Sequence, residues 1–283
     1  EGLNTTAGMV PVSWTTALLP YIDQQNVFDQ WKQGQPVAPY LEVTACPSDP
    51  QDRSRASTSY VVNCGLIDKN PRDAAQVPLN WPSSTFVYNL PADWPANGPF
   101  VSRYEPGVNA ARTPRVNEST FYDGMGNTFL ITENIDATVW NDVVSLAEAG
   151  NNGYVQQGNG TWNTPEIQYG FVWTGNPLLI DSAGQVINQV INGPTSENGE
   201  ATEMSQCRPS SRHPGGVNMT FADGRTQFIS DNIDYQLYSL LMTPEGRKST
   251  PNGQNFIPTP SLPAAYQPYV TWRTQTATSG DLP

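Results

Sequence analysis

Histidine is nearly missing from this sequence: one residue, His213, in 283. Ser–His–Asp, Cys–His or multi-histidine metal chemistry must therefore run through His213 or be absent from the chain. Lysine is almost as scarce (Lys32, Lys69 and Lys248), and 14 basic residues face 26 acidic ones for a net charge of −12. Phosphate neutralisation needs clustered Lys and Arg, so the composition argues against a nucleic-acid-binding surface. Charged residues make up 14%, below the usual quarter or so, so the polar surface must come from Asn, Gln, Ser and Thr. No run approaches the roughly 18 apolar residues that span a bilayer, and no basic-then-apolar signal opens the chain. No membrane span is expected within it, and a chain opening at Glu1 reads as a processed or excised piece. Phosphate-binding P-loops, a G-x-G-x-x-G after a strand and H-E-x-x-H are also missing, so no cofactor is expected.

What is abundant is proline (26) and glycine (23), together about a sixth of the chain against a typical eighth. With 8 Trp, 12 Tyr and 9 Phe to build a core, this is a loop-rich, β-rich composition that excludes a purely helical bundle. The three cysteines, Cys46, Cys64 and Cys207, allow at most one internal disulfide. Low lysine and high Asn/Thr suggest an extracytoplasmic chain, where a disulfide would persist. Cys46–Cys64 is the favoured pair, because it closes a modest loop between two strand-like runs. A Cys46/Cys64/Cys207/His213 zinc set lacks any C-x-x-C pair and loses to ordinary structural cysteines.

Along the chain, residues 13–31 carry a helical pattern in which Trp14 and Leu18, then Val27 and Trp31, recur four apart, with Leu19 and Ile22 beside them. Ser13 is placed to cap it. Pro20 should divide it into a turn and a second helix with proline in its first turn. Strand-like runs follow at 41–45, 58–64, 85–89, 127–132, 139–144, 168–174 and 185–191. Residues 71–115 form a Pro/Trp/Asn-rich insertion, and 148–164 a Gly/Asn-rich loop.

The strongest local signal is 216–230, where Val217, Met219 and Phe221 alternate, Asp223-Gly224 turns, and Thr226 and Phe228 resume. A two-residue turn with both positions at φ > 0 would set Met219 opposite Phe228 and Phe221 opposite Thr226. A helix over 233–242, capped by Asp231 or Asn232 and stopped by Pro244 and Gly246, should follow. His213 could act as a base oriented by Asp223, with Ser210 or Ser211 as nucleophile. No nucleophile elbow supports that, and a histidine tying its own loop is the plainer reading. Asp231, Asn232 and Asp234 have oxygens at a spacing calcium could use. They lack the glycine and terminal glutamate of an EF-hand loop, so capping accounts for them better. The 80–100 aromatics could stack on sugars.

The segment His213-Pro214-Gly215-Gly216-Val217-Asn218 through Phe221-Ala222-Asp223-Gly224 resembles the H-X9-DG signature of a family of prepilin-like secreted proteins. That family is abundant in planctomycete-type bacteria and carries a domain of unknown function. Three more blocks match in order: Trp14 with residues 18–24, Cys46-Pro47-Ser48-Asp49-Pro50 with Ser59-Tyr60-Val61, and Asp123-Gly124-Met125-Gly126-Asn127-Thr128 through Glu133. The ending at 240–246 fits too. The resemblance implies a preceding prepilin-type methylation helix, a pilin-like head and export to the cell surface. It implies no catalytic residue.

The expected architecture is α+β: a pilin-like head over 1–249, with an N-terminal helix packed on an antiparallel β-sheet and long loop insertions. A Pro-rich extension over 250–283 should dock through Tyr269, Val270 and Trp272, on a neighbouring subunit rather than on its own head. His213, Gly215, Gly216, Asp223 and Gly224 are expected to be structural. The expected function is non-enzymatic: a subunit of an extracellular pilus- or pseudopilus-like filament or cell-surface assembly, its partners neighbouring copies of itself. The alternative is a surface ligand-binding protein, an adhesin or polysaccharide binder with a glycan ligand.

Overall fold

The N-terminal helical pattern forms in three pieces in the computed structural model. The structure describes residues 2–6, 8–66, 98–100, 116–137, 139–141, 155–156, 162–163, 170–173, 179–180, 186–187, 191–192, 208–246 and 279–282. A hairpin of β1 (Gly2–Thr5) and β2 (Gly8–Pro11) leads into α1 (Trp14–Leu18). Ser13 caps α1 as expected, its Oγ accepting from the Thr16 N–H at 3.2 Å. Pro20 falls in a 3₁₀ turn, Leu19–Tyr21, and α2 (Gln25–Lys32) starts five residues later. Proline is therefore a spacer between the helices and not the first turn of the second. The break rotates the helical phase, so Leu19 is fully buried while Leu18 is 38% exposed.

These helices build their own core. Val12, Leu19, Val27, Trp31, Leu41 and Ala56 pack around Trp140, with Leu3 and Ile22 at the margin. Trp140 is held from three sides. Its backbone N–H donates to Ala56 O at 2.8 Å, its indole N–H donates to Pro39 O at 3.1 Å, and the Ser13 hydroxyl donates to its carbonyl.

The main sheet has five strands: β3 (Tyr60–Leu66), β4 (Phe129–Glu133), β7 (Gly170–Trp173), β10 (Gly216–Phe221) and β11 (Thr226–Ser230). Two short pairs, β5 (Val155–Gln156) with β6 (Trp162–Asn163) and β8 (Leu179–Ile180) with β9 (Val186–Ile187), lie outside it. The strand order is β11-β10-β4-β3-β7. The first three pairings are antiparallel, but β7 joins β3 in parallel. The α+β class stands, and the sheet is mixed where an antiparallel one was expected.

The second correction concerns which helix covers the sheet. Val61, Phe129, Phe171, Val217, Met219, Phe221 and Ile229 share one core with Ile233, Tyr235, Tyr238, Leu241 and Met242. The helix on the sheet's core is thus α3 (Tyr235–Leu241), near the C-terminal end of the described head, and not the N-terminal one. Its cap is Asp234, whose Oδ1 accepts from the Leu237 N–H at 3.1 Å, rather than Asp231 or Asn232. Residues 41–45 also differ from expectation: Glu42–Thr44 forms a 3₁₀ turn with Val43 exposed. The expected strand from residue 139 reduces, among described residues, to a single bridge between Ser57 and Val139.

The hairpin forms with its register shifted by one. Met219 faces Gln227 and Asn218 faces Phe228. The loop closes with Phe221 N–H donating to Arg225 O at 2.8 Å and Gly224 N–H donating to Phe221 O at 2.9 Å. Ala222, Asp223 and Gly224 thus make a three-residue loop, a turn followed by one left-handed residue. Only Gly224 needs positive φ, at 87°. Asp223 instead uses its side chain, Oδ1 accepting from the Arg225 N–H at 3.0 Å. The shift turns Phe228 outward, 48% exposed.

The expectations for 85–89, for Cys207, and for Tyr269, Val270 and Trp272 fall outside the described residues. The last turn, Ser279–Asp281, is described, and Leu282 beside it packs against the sheet's core in its own chain.

Asn63 ties the sheet to the end of α3. Its side chain is fully buried, and Nδ2 donates to Phe129 O and Met242 O, both at 2.8 Å. Oδ1 accepts from the Gly65 N–H at 2.9 Å. Asn63→Ala strands these three buried groups and should cost about 3 kcal/mol, read as a lower urea midpoint at an unchanged slope.

Candidate functional site

The site begins with a carboxylate where an apolar strand ends. β4 reads Phe-Leu-Ile-Thr-Glu, and Glu133 is its last residue, directly opposite Tyr60 on β3. Its side chain is 5% exposed. A buried carboxylate is tolerated only with charge or hydrogen-bond partners, and Glu133 collects four donors. Oε2 accepts from the Asn218 N–H at 2.8 Å, and Oε1 receives Asn218 Nδ2 at 3.3 Å. His213 Nε2 lies 2.9 Å from Oε1, and the Cys46 thiol donates to the same oxygen at 3.3 Å.

Three chain segments converge here, each fixed by its own turn. Cys46 opens a turn closed by Asp49 N–H on Cys46 O at 3.0 Å. Asp49, 6% exposed, is held by the Arg212 guanidinium (Nε to Oδ1, 3.0 Å), the Ser59 hydroxyl (3.0 Å) and Gln51. The His213 loop is anchored through Ser210, whose N–H donates to Glu133 O at 2.9 Å. Ser211 Oγ donates to Gly216 O at 2.7 Å and accepts from the His213 N–H at 3.0 Å. Gly215 offers its carbonyl to the Asp231 N–H. At Gly216 the backbone runs so close to β11 that a Cβ would meet Ile229 O at 2.1 Å.

His213 and Asp223 do not meet. They sit beyond opposite ends of six-residue β10, a separation of roughly 20 Å at strand rise. The carboxylate beside His213 is Glu133. Ser210 Oγ lies 3.2 Å from Asn134 Oδ1 and accepts from the Ile135 N–H at 3.1 Å. Both serines are occupied by loop geometry, so a Ser–His–Asp arrangement does not form among them.

Cys46 and Cys64 are not bonded to each other, contrary to the favoured pairing. The Cys46 thiol lies beside Glu133, which faces Tyr60, whereas Cys64 is four residues further along β3, about 13 Å away. A disulfide needs Cα atoms within roughly 7 Å. Of Asp231, Asn232 and Asp234, the last is spent on the helix cap and Asn232 N–H bonds to Ser230 Oγ. Among the described residues the group with metal-ligating atoms in mutual reach is Cys46, Glu133 and His213, all within 4.8 Å of one another.

Glu133 itself was not singled out from sequence as a site residue. The available signal was a carboxylate closing a strand whose preceding residues are apolar or Thr. Beside the site, Arg208 and Asp136 form a part-buried pair at 3.0 Å. Burial pushes the Asp136 carboxyl up and the Arg208 guanidinium down. Burial also pushes the Cys46 thiol up, reinforced by the Glu133 hydrogen bond and charge. The Tyr60 hydroxyl is raised by burial, and further by Cys46 and Glu133.

A family model described as a protein of unknown function (DUF1559) matches residues 1–236. The chain belongs to that family. No curated protein and no solved structure matches it.

Two outcomes follow for this site. Glu133→Ala strands the buried donors of Asn218 and His213 and should destabilise by about 3 kcal/mol, measured by urea unfolding. A thiol whose folded pKa is raised contributes stability that is present below its unfolded value, near pH 8.5, and is lost as pH rises through the folded value. The wild type should therefore lose stability above about pH 8.5 more steeply than Cys46→Ala, read as Tm against pH.

Proposed function

We propose that the protein is a non-enzymatic structural subunit of an extracellular pilus- or pseudopilus-like assembly, built from neighbouring copies of itself. The observation that carries this reading is that the H-X9-DG segment is spent on architecture at both ends. His213 joins Glu133 across the sheet, and Asp223 shapes the β10–β11 loop. The other matching turn behaves alike: Asp123 Oδ2 accepts from the Gly246 N–H at 2.6 Å, joining the 123–127 turn to the segment that follows α3. Residues used this way serve the packing of the fold, and the neighbouring Ser210 and Ser211 hydroxyls are engaged in loop hydrogen bonds. The low-lysine, Asn/Thr-rich composition suits a cell-surface location.

Electron microscopy and sedimentation of native material test the proposal. Regular fibres or discrete polymers are expected. A strictly monomeric protein retained on a glycan column would replace this reading with the surface-binder one. His213→Ala should lower Tm while leaving no defined activity to lose, and a hydrolytic activity abolished by it at unchanged stability would overturn the structural reading.

A further inference from the structure

We propose that Cys46, Glu133 and His213 form a binding site for one divalent transition-metal ion of the zinc class. The three side chains offer sulfur, oxygen and imidazole nitrogen, the donor types such ions take. Their separations are 3.6 Å (Sγ to Nε2), 3.3 Å (Sγ to Oε1) and 2.9 Å (Nε2 to Oε1). Tetrahedral donors at zinc bond lengths stand about 3.5 Å apart for S···N and S···O, and about 3.3 Å for N···O. Two separations already fit within about 0.2 Å, and the third needs the imidazole and carboxylate to part by about 0.4 Å. A thiolate, a carboxylate and a neutral imidazole carry −2 together, matching a divalent cation.

The surroundings supply what a metal site needs beyond its ligands. Glu133 sits on a central strand and its other oxygen is fixed by the Asn218 N–H at 2.8 Å, so one carboxylate oxygen remains directed at Cys46 and His213. Asp49, in the same turn as Cys46, is engaged by Arg212, Ser59 and Gln51. His213 is 26% exposed while Glu133 is 5% exposed and Cys46 is buried, so among the described residues the cluster meets solvent on its His213 side. That side admits the ion and leaves its fourth position to water or to a donor atom from another molecule. The three ligands are 80 or more residues apart along the chain in every pairing, so no sequence motif announces them.

The test is titration of the full chain, purified with chelator, with Zn²⁺ by calorimetry and with Co²⁺ by absorption. One equivalent should bind, with the cobalt complex showing a thiolate-to-cobalt charge-transfer band and a tetrahedral d–d spectrum. Cys46→Ser should abolish the charge-transfer band, and His213→Gln, at a part-exposed position, should weaken binding at least tenfold. Cys64→Ser should bind as wild type does. Absence of one-equivalent binding by the wild type overturns the proposal, as does cobalt binding without thiolate charge transfer. Unchanged affinity in folded His213→Gln also overturns it. Each of these results leaves the filament reading standing, since that rests on assembly and not on metal.

Discussion

A carboxylate buried at the end of β4 sets the terms for the middle of this protein. Glu133 is placed by the sheet, opposite Tyr60, where water cannot solvate it. Its desolvation is offset only if donors are delivered from elsewhere, and they come from β10, the His213 loop and the Cys46 turn. Each of those segments is then braced in turn, Asp49 by Arg212 and Ser59, the His213 loop by Ser210 and Ser211. One buried carboxylate thus recruits three stretches of chain into a single polar layer at one end of the sheet. Burying such a group is favourable only when every donor is in place, which makes the layer cooperative.

Local chemistry in this sequence was readable and long-range partnership was not. The Ser13 cap, the break at Pro20, the β10–β11 hairpin and the strands near 60–66, 129–133 and 170–173 follow from capping, proline geometry and β-branched runs. The hairpin register slipped because Asp-Gly serves a two-residue loop with both positions at positive φ and a three-residue loop with Gly224 alone there. Which helix covers the sheet could not be read from periodicity: both the 13–31 and the Tyr235–Leu241 segments carry apolar residues at helical spacing, and only tertiary packing assigns the first to Trp140 and the second to Phe129.

The site was legible in its parts. His213, Cys46 and the turn residues stood out as rare or patterned, but nothing in the spacing says that Cys46 meets His213 instead of Cys64. Sequence proximity favours the 46–64 pair, while the sheet carries Cys64 away along β3 and brings in a residue from the far side of the chain. Glu133 escaped notice because its neighbours mark it as the end of a strand, and burial of that end is a property of the assembled sheet.

The order of strands has a kinetic consequence. The central contacts join segments far apart in sequence: Glu133 with His213 across 80 positions, Asn63 with Met242 across 179. Loops of that length must close before their contacts return any free energy, which slows folding in proteins dominated by non-local pairing. β4 cannot complete its polar end until residues 210–218 have arrived, nor can Asn63 satisfy both donors before 242. A nascent chain that ends before that point lacks the partners for its own middle strand, so the polar end of the described sheet can be completed only after most of the polypeptide has been made.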